Sequence, residues 1–113
     1  MQPRFVQAVR QFVGGGLDEY VAFEPPLGYT VPAGRSAQCV YFRGGNSSDE
    51  LVVVVLTRDG EPMRLFPIGA RNAVHIPLRI VEDLLDDTHL ELHVAAPEGC
   101  TGTVVVDLGL LEL

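Results

Sequence analysis

The sequence predicts an all-β fold: a single-domain β-sandwich of about eight strands, with a short amphipathic helix at its N-terminus. Three observations carry that prediction. Extended apolar runs recur at roughly ten-residue spacing with no helix-length gap between them. The separators EPPLG, PAGR, GGNSSD, RDGE, GAR, VEDLLDD and APEGC are rich in Gly, Pro, Asp, Asn or Ser. And 113 residues hold one hydrophobic core but not two.

At the N-terminus Phe5, Val6, Val9, Phe12 and Val13 recur at helical spacing. Pro3 suits a first turn and Gly14-Gly15-Gly16 closes the pattern, so a helix is expected over 3–13. About three turns are marginal alone and need a surface to dock on, in the same domain or in a second subunit. Residues 1–16 therefore read as helix and glycine linker, and 17–113 as the β-sandwich domain. Strands are expected at 19–24, 28–33, 36–43, 50–57, 62–68, 72–80, 88–95 and 101–113. Asp59-Gly60 marks the clearest hairpin, because both residues tolerate the positive φ of a tight turn. VEDLLDD has room for one helical turn.

Alternation assigns the faces. Val74, Ile76, Leu78 and Ile80 point one way and leave His75, Pro77 and Arg79 on the other. Leu90, Leu92 and Val94 point inward, with His89, Glu91 and His93 outward. LVVVVL (51–56) is apolar on both faces, which predicts a central strand or one covered by the helix. Leu108, Leu110, Leu111 and Leu113 make the last strand apolar on both sides as well, as expected of an edge covered by a symmetry mate.

Composition narrows the function. A hydrophobic content of 47% and a mean hydropathy of +0.22 exclude disorder. No apolar run approaches the ~18 residues of a membrane helix. MQPRFVQAVRQFV has no apolar core of a secretory signal, so a cytoplasmic location is expected. The net charge is −7 and every basic residue is arginine. Such a chain repels phosphate backbones, and nucleic acid is not an expected partner. Cys39 and Cys100 suggest an immunoglobulin pair, but no tryptophan is present and Cys100 lies in a turn; two unpaired thiols are expected. No nucleophile elbow, dinucleotide fingerprint or cysteine cluster is present, and no cofactor is expected.

Three candidate sites remain. In THLELHV, His89 and His93 are four residues apart, about 13 Å along a strand, too far to share one metal. A metal set would instead need His75, Glu91 and His93 from neighbouring strands. That set resembles cupin metal sites, although the cupin spacing of two histidines two apart is absent. The loop FRGGNSSDE offers Arg43, Asn46 and Ser47, with Tyr41 just before it, to an anion or a sugar. Tyr20, Tyr29 and Tyr41 could stack on a sugar ring. Phe5, Val9 and Phe12 of the N-terminal stripe, with Arg64, Phe66 and Arg71 of RLFPIGAR, have the composition of a protein interface.

The hairpin around Asp59-Gly60, FPIGA, VHIPL, THLELHVAAPEG and TVVVDLGLLEL together resemble the closing strands of galactose-binding-like jelly rolls, a broad group in which carbohydrate-binding modules are frequent. The resemblance covers residues 50–113 and implies a jelly-roll-like sandwich. FRGGN and FPIGA also resemble stretches of small bacterial partners of molybdopterin oxidoreductases, which implies an accessory protein. The expected function is a non-catalytic binding or assembly module, homo-oligomeric or an accessory partner of a larger bacterial enzyme complex. The alternative is a small-ligand or carbohydrate-binding domain, and a third reading is a cupin-like metal-dependent enzyme.

Overall fold

A computed structural model describes residues 1–113, all of them in or between eight strands with no helix. The strands are β1 (Gln2–Val13), β2 (Gly16–Thr30), β3 (Ala37–Asn46), β4 (Val52–Arg58), β5 (Glu61–Ile68), β6 (Ala73–Pro77), β7 (His89–Ala96) and β8 (Thr101–Glu112). They form two antiparallel four-stranded sheets, β1-β8-β3-β6 and β2-β7-β4-β5, packed face to face.

The expected N-terminal helix is instead β1, paired with β8 from Gln2 opposite Glu112 to Val13 opposite Thr101. The apolar positions satisfy both periods. Val6 and Phe12 face the core with Ala8 half-buried between them, whereas Phe5, Val9 and Val13 face outward, 54%, 62% and 64% exposed. That is the period of two of a strand, and pairing with β8 outweighs the helical spacing. It also accounts for the apolar last strand. β8 is no edge awaiting a symmetry mate: it lies between β1 and β3, with Leu108 and Leu110 buried. Gly14 then takes the chain from one sheet to the other, packed so closely on Ala96 and Pro97 that a Cβ would strike their carbonyl oxygens.

The two strands expected at 19–24 and 28–33 are one long β2, bent by register shifts between Gly16 and Val21 and between Ala22 and Leu27. The strand expected to reach Ile80 ends at Pro77, and Ile80 is exposed. VEDLLDD is not helical; Leu84 is buried and bridges to Ala37. The core is a cluster from both sheets in which Phe42 of β3 stacks on Phe66 of β5, centroids 4.2 Å apart and planes 2° from parallel. β4 sits between β7 and β5, with Val52, Val54 and Leu56 fully buried and Val55 nearly so. Asp59 and Gly60 take φ of 50° and 86° in the β4–β5 turn. Both cysteines are free, and burial pushes the Cys39 thiol up to about 11, which leaves it an inert, protonated core group.

Candidate functional site

The outer face of the β1-β8-β3-β6 sheet brings together residues far apart in the chain. Strand register sets Gln7, Asp107, Arg43 and His75 side by side across all four strands. One pleat repeat away lies the row Phe5, Gly109, Tyr41 and Pro77, and on the other side Val9, Val105, Gly45 and Ala73. All twelve side chains, or glycine gaps, share the solvent side of one sheet.

Tyr41 organises this surface. Its ring lies over Gly109, where any Cβ would collide with ring carbons. The phenol donates to Asp107 Oδ1 at 3.0 Å, and Gln7 Nε2 donates to the same oxygen at 3.1 Å. Burial, followed by the hydrogen bond to Asp107, pushes the Tyr41 hydroxyl above its ordinary pKa, so it remains a neutral donor. The Arg43 guanidinium sits 5.1 Å from the ring centroid and His75 meets the ring edge-on at 6.1 Å. Arg4, Arg58, Arg64 and Arg71 are all paired with carboxylates, whereas Arg43, like Arg10, Arg35 and Arg79, has no ion-pair partner. Asp107 Oδ2 accepts no hydrogen bond.

Beside this row the sheet is hollow because its side chains are small. An open depression of about 460 Å³ lies among Arg43, Gly45, Ala73, Val105 and Asp107. Another of about 380 Å³ adjoins it among Gln7, Val9, Val105 and Asp107. A third, of about 430 Å³ between Gln11–Val13 and Thr101–Thr103, has no charged side chain. The arrangement offers a shallow apolar floor with a carboxylate, a guanidinium, an imidazole and an amide along one wall.

The other residues singled out in the sequence are placed differently. Asn46 is buried: its amide donates to the carbonyls of Glu50, Ile68 and Gly69, and its Oδ1 accepts from the Ser48 backbone and hydroxyl. It pins the 46–50 turn and has no free group for a ligand. Ser47 Oγ accepts from the Thr103 N–H and ties that turn to β8. Of the expected interface set, Phe5 and Val9 are exposed, while Phe12 and Phe66 are core residues. Arg64 pairs with Glu82, and Arg71 pairs with Asp49.

His75, Glu91 and His93 do not converge, since His75 lies on β6 and the other two on β7 of the opposite sheet. No group of three or more His, Cys, Asp or Glu is placed to hold a metal ion. Glu91 instead bridges the two histidines of β7: Oε1 lies 3.2 Å from His89 Nε2, and Oε2 lies 3.2 Å from His93 Nε2. Thr30 Oγ1 lies 2.9 Å from His89 Nδ1, and Tyr20 meets the His93 ring edge-on at 5.1 Å. His93 Nδ1 is buried without a partner.

No protein-family model matches the sequence, and no curated protein does. Solved structures do match the fold. The CBM36-1 domain of a multidomain xylanase from the hindgut metagenome of Trinervitermes trinervoides superposes with a TM-score of 0.63 at 18% identity, covering 97% of each chain. A family 35 carbohydrate binding module from Clostridium thermocellum superposes with a TM-score of 0.52 at 17% identity, covering 98% of each chain. The chain therefore has the jelly-roll-like sandwich of these modules over its whole length, beyond the second half where the sequence resemblance lies.

Proposed function

We propose that the chain is a non-catalytic carbohydrate-binding module whose ligand lies on the outer face of the β1-β8-β3-β6 sheet. One observation carries the reading: Tyr41 seated on Gly109 aligns Asp107, Gln7 and the ion-pair-free Arg43 beside a shallow apolar floor. A sugar presents an apolar C–H face and a rim of hydroxyls that both donate and accept. The floor of Val105, Gly45 and Ala73 suits the first, and Asp107, Arg43, Gln7 and His75 suit the second. The shared fold with two modules named for carbohydrate binding supports the same reading. Attachment to a larger enzyme follows the example of the xylanase domain.

The test is a glycan array followed by calorimetric titration. Wild-type protein is expected to retain a defined set of glycans. Tyr41→Ala and Arg43→Ala should each weaken binding about tenfold or more, the loss of roughly one charged or stacked contact. An array with no retained glycan, or variants that bind as wild type does, sinks the proposal.

A further inference from the structure

β1 is an open edge strand, and its backbone parity can be read from its neighbours. Ser47 donates its N–H to Thr103 O at 3.0 Å, and Leu113 donates to Ser36 O at 2.7 Å. Odd-numbered residues of β8 therefore turn their peptide groups toward β3, and even-numbered residues turn theirs toward β1. The β1–β8 register pairs even with even, and the Gly14 N–H to Cys100 O bond of 2.7 Å continues that parity. The N–H and C=O groups of Phe5, Gln7, Val9, Gln11 and Val13 thus point away from the sheet into solvent. Among these groups, the Val9 carbonyl accepts from Arg10 Nη1 at 3.2 Å, and a carbonyl has a second lone pair.

The other three edges are short or interrupted by proline or register shifts, and β1 is not; its two charges, Arg4 and Arg10, lie on the inner side and are engaged by Glu112 and the Pro25 carbonyl. β6 has five residues and ends in Pro77; β5 carries Pro62 and Pro67; β2 has two register shifts and Pro25-Pro26. From Arg4 to Val13 β1 has no proline, no bulge and no outward charge.

We infer that β1 pairs antiparallel with β1 of a second copy of this chain, about a two-fold axis through Val9. Open peptide groups must meet open peptide groups, so odd residues must face odd residues. With Val9 on the axis, Phe5 faces Val13 of the partner subunit, Gln7 faces Gln11 of the partner subunit, and Val9 faces the partner subunit's Val9. Apolar meets apolar and amide meets amide along the whole outer face. On the core side Val6 faces Phe12 of the partner subunit, which extends both cores. Moving the axis by one residue sets Phe5 against glutamine and Gln7 against valine. The outer side of the seam carries no charge, since these five side chains are uncharged in a chain of net charge −7; on the inner side Arg10, held by the Pro25 and Val9 carbonyls, faces the partner subunit's Ala8. The outward five also include Phe5, Val9 and Val13, three of the most exposed apolar residues of the sandwich.

The axis stands perpendicular to the sheet, so the dimer has one continuous eight-stranded sheet with both Tyr41–Arg43 clusters on the same side. Five strand spacings of about 4.8 Å, combined with the offset along the strands at about 3.4 Å per residue, set the clusters roughly 30 Å apart. A polymer with repeated ligand groups could engage both at once, a consequence that rests on the carbohydrate reading, as the dimer itself does not.

The mass in solution and the register of a cross-link test the pairing. Light scattering on the eluting protein should report a dimer, and Val9→Lys, which sets two ammonium groups on the axis, should halve the mass while the monomer keeps the wild-type circular dichroism and loses any concentration dependence of its melting temperature. In a Cys100→Ser background, oxidised Val9→Cys should form a covalent dimer, since directly opposed residues stand about 5.5 Å apart at Cα, within disulfide reach. Gln7→Cys mixed with Gln11→Cys should cross-link, while neither does so alone. A monomer at high micromolar concentration, or a dimer that survives Val9→Lys and gives no Val9→Cys cross-link, overturns the proposal. If the pairing holds and no glycan binds, only the carbohydrate reading falls.

Discussion

On the outer face of β7, the Glu91 carboxylate lies 3.2 Å from Nε2 of both His89 and His93, while Tyr20 and Thr30 of β2 engage the two rings. On the outer face of the opposite sheet, Asp107 receives two donors on one oxygen and keeps the other free, and Arg43 stands beside it without an ion pair. Both faces combine a carboxylate, histidine and tyrosine. They differ in closure. The β7 row is largely paired within itself and partly covered by the irregular β2, its one unpartnered atom, His93 Nδ1, being shut away from solvent, whereas the Arg43–Asp107 row borders open depressions and keeps its unused donors and acceptors exposed to them. Residue types that suggest chemistry in a sequence thus become a binding surface only where neighbours leave their polar groups unspent.

The largest expected effect comes from removing the seat of Tyr41. Gly109→Ala places a Cβ inside the ring, and because Gly109 is buried the ring must leave. Overpacking of this kind costs about 1–3 kcal/mol, measurable by urea unfolding, and should abolish glycan binding at the same time. A variant as stable as wild type, with ligand binding intact, would show that Tyr41 does not depend on that seat.

A second effect separates acid sensitivity from either outer face. Glu112 at the end of β8 is buried and accepts from Tyr29 at 2.5 Å and from Arg4 Nε at 3.2 Å, joining the two sheets. The hydrogen bond from Tyr29 first, then Arg4, holds its carboxyl below the usual 4.5 against the opposing effect of burial. A carboxyl lowered in the folded state contributes stability that is present above its unfolded pKa and lost as pH falls through the folded value. Burial, reinforced by the same bond, pushes Tyr29 up to about 12, so its contribution is present below the ordinary value of 10.0 and is lost as pH rises through about 12. Tyr29→Phe should flatten both limbs of a plot of unfolding free energy against pH, and limbs identical to wild type would refute the assignment.

The smallest effect belongs to the β7 row. Glu91→Gln removes a carboxylate shared by one half-exposed and one mostly covered histidine. The expected cost is under about 1 kcal/mol, with glycan binding unchanged. A loss of binding here as large as that of Tyr41→Ala would erase the distinction between the faces.

Much of the sandwich was legible from local pattern. Alternation in THLELHV put Leu90, Leu92 and Val94 in the core, the doubly apolar LVVVVL became the inner strand β4, and Asp59-Gly60 made its turn. The first strand was not legible as a strand, because Phe5, Val6, Val9, Phe12 and Val13 fit both a period of 3.6 and one of two. What decides between them is a partner strand about a hundred residues away. The candidate site was half legible for the same reason. Tyr41 and Arg43 stand out beside a glycine pair, but Gln7, His75, Asp107 and Gly109 join them only through the registers of β1, β6 and β8. Asn46, from the same stretch, was available to the turn as much as to a ligand, and the turn took it. A glycine needed beneath a ring leaves no periodic trace.

Backbone amide shift mapping during titration with a glycan retained on the array tests the central claim most directly. The predicted result is a patch of perturbed signals over residues 43–45, 73–75 and 105–109, with His89, Glu91 and His93 unmoved. Perturbations centred on 89–93 and 20–30, with 43–45 and 105–109 silent, would contradict it.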